Sequence, residues 1–118
     1  MSRVGVHFIC DMFGLHKQGK FLDEVDELGL MQILIDGGLK PLQHNGNQFV
    51  PEGYSYFVFL QESHFSIHTY PDKDIATFDL YACDADSEKI RKIGHTIRKR
   101  FDPSYFTGKM IDRGVKST

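Results

Sequence analysis

Alternation of apolar with polar or small residues from Val4 to Asp11 (Val-Gly-Val-His-Phe-Ile-Cys-Asp) predicts a first strand. The period then changes. Between Leu22 and Asp36, Leu22, Val25, Leu28 and Ile33 fit a 3.6-residue repeat and predict a helix. Asp23, Glu24, Asp26 and Glu27 crowd its start, where the positive end of the helix dipole favours them, and Gly37-Gly38 makes a stop. From residue 40 to residue 83 the character is that of strands. One ends at Gln48 to Val50, before a turn at Pro51-Glu52-Gly53. Tyr54 to Gln61 is aromatic and β-branched, as strands prefer. Ser63 to Thr69 alternates, placing Phe65, Ile67 and Thr69 on one face and His64, Ser66 and His68 on the other. Ile75 to Cys83 is a further strand. Asp86 or Ser87 caps a second helix reaching Phe101, Asp102-Pro103 closes it, and Tyr105 to Asp112 is a last strand.

The order is strand, helix, three or four strands, helix, strand. Two helices with apolar stripes need a sheet face to cover, which predicts an α+β fold: a two-layer α/β sandwich whose mostly antiparallel sheet is covered on one face by two helices. The other sheet face is left incompletely polar, and dimerisation through it is one remedy.

Composition narrows the class without naming a chemistry. The 118 residues make one domain, with 41% hydrophobic and 25% charged residues, as in ordinary globular proteins. A net charge of −2 gives no reason to expect nucleic acid. The basic stretch Lys89 to Arg100 also carries Ile90, Ile93 and Ile97 at helical spacing, so it predicts the solvated face of a helix. No apolar run nears the roughly 20 residues that span a bilayer, and no signal peptide opens the chain. Two cysteines, Cys10 and Cys83, make a poor staple for a secreted domain. A cytoplasmic location is the expectation.

The candidate chemistry is concentrated in Glu62-Ser63-His64-Phe65-Ser66-Ile67-His68-Thr69. A serine nucleophile with a histidine base suits acyl transfer, yet no Gly-x-Ser-x-Gly elbow is present. His64, His68 and Cys83 are metal-ligand types. Four residues of strand, however, separate the two histidines by roughly 13 Å, too far for one ion without a sharp bend. Surface histidines on an open sheet face remain the plain alternative.

The same segment, continued through Tyr70-Pro71, resembles the cleavage motif of the short prokaryotic S-adenosylmethionine decarboxylases, usually Glu-Ser-His-x-Ser-x-His-Thr-Trp-Pro. Phe49-x-Pro51-x-Gly53-x-Ser55 matches that family's upstream signature, Cys83 falls at the expected distance downstream, and Gly5-x-His7 is similar to its opening strand. The resemblance covers nearly the whole chain. It implies a proenzyme that cuts itself between Glu62 and Ser63 into residues 1–62 (the beta chain) and 63–118 (the alpha chain), the latter capped by a pyruvoyl group made from Ser63. In that scheme the Ser63 hydroxyl attacks the Glu62 carbonyl, Ser55 hydrogen-bonds the developing oxyanion, and His68 removes the Cα proton of residue 63. The substrate amine then forms a Schiff base with the pyruvoyl ketone, which takes up the electrons released with CO2. Cys83 returns the proton, and Phe49 and Asp72 contact the substrate. No metal is implied. A homodimer of cleaved protomers, with sites drawing residues from both, is expected, and the product would feed polyamine synthesis.

Departures from the family pattern leave alternatives open. Tyr70 replaces Trp, Asp72 replaces the Glu that would hold ribose hydroxyls, and Asp84 stands where a Gly is usual. A tolerant S-adenosylmethionine decarboxylase fits. A relative retuned to ornithine or arginine, with Asp72 or Asp74 on the distal cation, also fits. A non-catalytic regulatory homologue is the third reading, although Ser63, His68 and Cys83 are all retained.

Overall fold

The computed structural model describes residues 3–16, 25–83 and 85–116. Strand β1 (Gly5–Phe13) is followed by helix α1 (Glu27–Asp36) and strands β2 (Pro41–Gln48), β3 (Tyr54–Leu60), β4 (Ser63–Tyr70) and β5 (Ile75–Cys83). Helix α2 (Ser87–Phe101) and strand β6 (Tyr105–Arg113) complete the chain. The six strands form one sheet in the order β2-β3-β4-β5-β1-β6, and every neighbouring pair runs antiparallel. The expected two-layer α+β sandwich is what the chain forms.

Period-two patterning decides the faces. Val6, Phe8, Cys10 and Met12 of β1, Tyr56 and Val58 of β3, Phe65 and Ile67 of β4, and Phe78 and Leu80 of β5 are all buried beneath the helices. From α2 come Ile90, Ile93 and Ile97, with Lys89, Arg91, Lys92, Lys99 and Arg100 outside, as its amphipathic pattern requires. The Asp86 carboxylate accepts the Glu88 N–H at the start of α2, and Asp102 ends the helix in the left-handed region.

Three expectations need correction. Helix α1 starts at Glu27, because Asp26 is its cap, with a carboxylate that accepts the Gly29 N–H. Leu22, Asp23 and Glu24 lie outside the described residues. The buried stripe of α1 is Leu30 and Leu34, whereas Leu28 is 82% exposed; the later helix start shifts which residues face the sheet. Strand β2 ends at Gln48, and the Phe49 N–H turns to the Gly53 carbonyl instead of continuing the ladder. His44, on β2, has Nδ1 3.1 Å from the Tyr56 hydroxyl.

Candidate active site

β3 and β4 are joined by Gln61 and Glu62 alone, and this short turn forces Glu62 to φ +61°. Glycine or asparagine would be usual there; a residue with a full side chain carries backbone strain of about 1–2 kcal/mol. The Glu62–Ser63 peptide therefore leaves a strained residue and enters a regular strand. Ser63 is held on the other side by the ladder, opposite Ala82, and its Oγ accepts the Cys83 N–H at 3.3 Å. Ser63 and Cys83, separated by 20 residues in sequence, are thus neighbours.

Ser55 and His68 form a second pair. They face each other across β3 and β4, with Ser55 Oγ 2.7 Å from His68 Nδ1. They lie at the far end of the ladder. Five residues of β4 separate His68 from Ser63, about 16 Å at 3.3 Å each. Phe49 and Asp72 belong to this far end as well, in the β2–β3 connection and in a 3-10 turn at Pro71–Lys73. The chain brings Ser63 to Cys83 and Ser55 to His68, but it does not bring one pair to the other.

Both Asp72 and Phe49 are exposed. Asp74, the other carboxylate considered for a substrate cation, is already engaged: its Oδ1 accepts the Leu15 and His16 N–H groups at 3.0 and 2.9 Å and faces His16 Nδ1 at 3.2 Å. It closes the end of β1. Asp84 lies outside the described residues.

Between the two pairs, the uncovered sheet face carries a polar network that sequence reasoning missed. Asp79 Oδ2 lies 2.6 Å from His7 Nε2 and 3.2 Å from His64 Nε2, and Asp79 Oδ1 accepts the Ser66 hydroxyl. Burial pushes the Asp79 carboxyl up, but the bonds from Ser66, His7 and His64 outweigh it and hold the group below its usual range. The side chains of His7, His64 and Asp79 offer ligand atoms within 4.8 Å of one another, as a metal would require. Arg113 argues against that use. Its guanidinium can only donate, and it sits 2.9 Å from His7 Nδ1. The His7 proton is therefore on Nε2, pointing at Asp79, which leaves no lone pair for an ion there. His64 faces Asp79 and His68 faces Ser55, so the His64, His68 and Cys83 set does not converge either.

Tyr81 completes this face. Its ring lies 5.5 Å from His7 and 5.7 Å from His64, between centroids, with the Arg113 guanidinium 5.8 Å from its centre. Asp79, Tyr81 and Cys83 are successive alternate residues of β5 and so share this face; Cys83 was singled out by the family resemblance, and the other two by nothing in the sequence. Phe57 stacks on His64, and the neighbouring Phe59 is 53% exposed. The uncovered face is thus polar at its centre and aromatic toward β2.

The sequence profile described as S-adenosylmethionine decarboxylase matches residues 6–114. An S-adenosylmethionine decarboxylase proenzyme of Persephonella marina is 32% identical over 117 residues, covering 95% of this chain and 84% of the relative. The proenzyme 2 of Bacillus cereus is 36% identical, covering 97% and 92%. The crystal structure of the adenosylmethionine decarboxylase of Aquifex aeolicus superposes with a TM-score of 0.81 at 26% identity, over 99% of this chain and 96% of that one. A Trypanosoma brucei AdoMetDC monomer shares the fold at TM-score 0.58 and 19% identity, over 87% of this chain and 44% of its own. A profile match across nearly the full length, on a fold that sets Ser63 behind a strained Glu62 and beside Cys83, identifies this chain as a member of the S-adenosylmethionine decarboxylase family.

Proposed function

We propose that the chain is a self-processing, pyruvoyl-dependent S-adenosylmethionine decarboxylase that supplies an aminopropyl donor for polyamine synthesis. The observation that carries this reading is the Glu62–Ser63 junction, where a left-handed Glu62 precedes a serine whose hydroxyl is fixed by the Cys83 N–H. Ser63 Oγ attacks the Glu62 carbonyl carbon, the amide C–N bond breaks, and the freed nitrogen takes up the hydroxyl proton, leaving an ester. His68, with Ser55 beside it, takes the Cα proton of residue 63, and the Glu62 carboxylate leaves by β-elimination. The resulting dehydroalanine tautomerises and takes up water, loses ammonia, and leaves a pyruvoyl cap on residues 63–118. That group supplies an electron sink for the pair released with CO2. Cys83, next to residue 63, returns the proton to the substrate carbon.

This chemistry needs His68 near Ser63, and one chain holds them about 16 Å apart. A second copy laid antiparallel against the uncovered face brings the Ser55–His68 end of one protomer to the Ser63–Cys83 end of the other. Such a homodimer also covers Phe59 and excludes water from the exposed His68. Phe49 and Asp72 then belong to the same composite site as the partner's pyruvoyl end, placed to contact a substrate.

Glu to Asp at position 72 keeps the charge and shortens its reach. With Asp74 engaged at the β1 end, a basic amino acid such as ornithine or arginine has only Asp72 of those two carboxylates for its distal cation. Among the described residues no helix is long and apolar enough to cross a membrane, and a cytoplasmic site of action suits a metabolic enzyme of this kind.

Intact mass of the purified protein under denaturing conditions tests the reading. Two fragments dividing at Glu62/Ser63, the downstream one lacking a free amine, are expected. A single uncut chain after long incubation refutes self-processing and leaves a regulatory binding domain.

A further inference from the structure

Gly5 is the cross-strand partner of Cys83, and the position its Cβ would take is already claimed. A Cβ there would lie 2.7 Å from the Tyr81 hydroxyl and 2.8 Å from the Ala82 carbonyl. The Tyr81 ring is therefore folded across β1 at its one residue without a side chain, which places the phenol oxygen at the residue paired with Cys83. The ring is fixed by His7, His64 and Arg113 around it. We propose that Tyr81 is a positioning residue for Cys83, its phenol O–H donating a hydrogen bond to the sulfur and stabilising the thiolate that remains once the proton has been delivered. The inference rests on the reading of Cys83 as proton donor.

The chemistry of the surroundings agrees. Burial first, and then the nearby Cys83 sulfur, push the Tyr81 phenol up, with Arg113 opposing. The phenol accordingly keeps its proton and acts as donor, never as base, near neutral pH. The titratable and charged groups facing Tyr81 are His7 from β1, His64 from β4 and Arg113 from β6, with Asp79 two residues along its own strand. Atoms balance simply: the thiol gives its proton to the substrate carbon, the thiolate keeps its bond from Tyr81, and water returns a proton to sulfur before the next turnover. Cys10 cannot substitute, since it faces the core at 1% exposure and its thiol is pushed up to about 11, by burial first and then by Asp11.

The test compares iodoacetamide alkylation of Cys83 in the wild-type protein and in Tyr81→Phe at pH 7.5, with peptide mapping to separate Cys83 from Cys10. Phe keeps the ring and removes only the hydroxyl. Losing a hydrogen bond to a charged sulfur should slow Cys83 alkylation about tenfold, and kcat for decarboxylation should fall with KM unchanged. Gly5→Ala, which pushes the phenol away, should shift alkylation in the same direction. Equal alkylation rates in wild type and Tyr81→Phe overturn the proposal, whatever happens to turnover. Slower alkylation together with a fully active Cys83→Ala protein upholds the Tyr81–Cys83 bond and removes instead the reading of Cys83 as donor.

Discussion

His68 Nδ1 lies 2.7 Å from the Ser55 hydroxyl across the β3–β4 ladder, and this pair stands at the opposite end of β4 from Ser63. Side chains five residues apart on one regular strand cannot meet, because the strand is held straight by β3 on one side and β5 on the other. The proposed mechanism therefore draws Ser63 and His68 of one site from two chains.

Complementation follows from that geometry. Ser63→Ala and His68→Ala should each remain uncut when expressed alone. Coexpressed, a mixed dimer has one site with both halves intact: Ser63 from the His68→Ala chain and His68 from the Ser63→Ala chain. Mass spectrometry should find the His68→Ala chain cut at Glu62/Ser63 and the Ser63→Ala chain whole. If the site were complete within one chain, neither would be cut.

Much of this was legible in the sequence because the strands obey a period of two. Phe65, Ile67 and Thr69 went to the core and His64, Ser66 and His68 to the open face, as their alternation required. The start of α1 was misread because Asp26 serves as a cap, and a cap is indistinguishable in composition from an acidic first turn. The Asp79 and Tyr81 cluster was not legible, since it depends on β1, β4, β5 and β6 lying side by side, which brings His7, His64 and Arg113 together from three distant segments. The division of the site into two ends was hidden for the same reason: a motif written in eight consecutive letters looks contiguous, but a strand stretches it out.

Gly94 of α2 rests on the Phe8 ring, and an added Cβ would meet three ring carbons at 2.5–2.8 Å. Intrinsic helix propensity favours Gly94→Ala by about 1 kcal/mol. Phe8 is buried against Phe78 and His95 and has no room to move, so overpacking of about 1–3 kcal/mol wins. Urea denaturation should show Gly94→Ala destabilised by about 1 kcal/mol. A higher midpoint than wild type would mean that helix and sheet can separate freely.

His95 packs edge-on against Phe8 and Phe106, at 5.1 and 6.1 Å between ring centres. Burial first, then Arg98, Lys99 and Arg91, hold its pKa below the usual 6.5. Folding therefore favours the neutral ring. The stability this contributes is fully present above pH 6.5 and is lost as pH falls through the lower folded value. Wild-type urea midpoints should decline on going from pH 7 to pH 5. In His95→Gln the decline should be shallower; an identical slope would assign it to other groups.

The positive φ of Glu62 makes the strain at the Glu62–Ser63 peptide measurable. Glycine adopts that backbone without the Cβ penalty of about 1–2 kcal/mol, whereas alanine keeps the penalty and loses only the carboxylate. Glu62→Gly also frees the unfolded chain by a similar amount, so folding stability should change little. If strain at Glu62 helps drive the peptide toward the ester, relieving about 1 kcal/mol of it should slow self-cleavage roughly fivefold. Glu62→Ala should then process near the wild-type rate. The two variants separate backbone from side chain: slowing by glycine alone points to the turn, slowing by both equally points to the carboxylate, and wild-type rates in both would remove strain from the account of processing. Following fragment appearance by intact mass after a refolding jump gives all three rates.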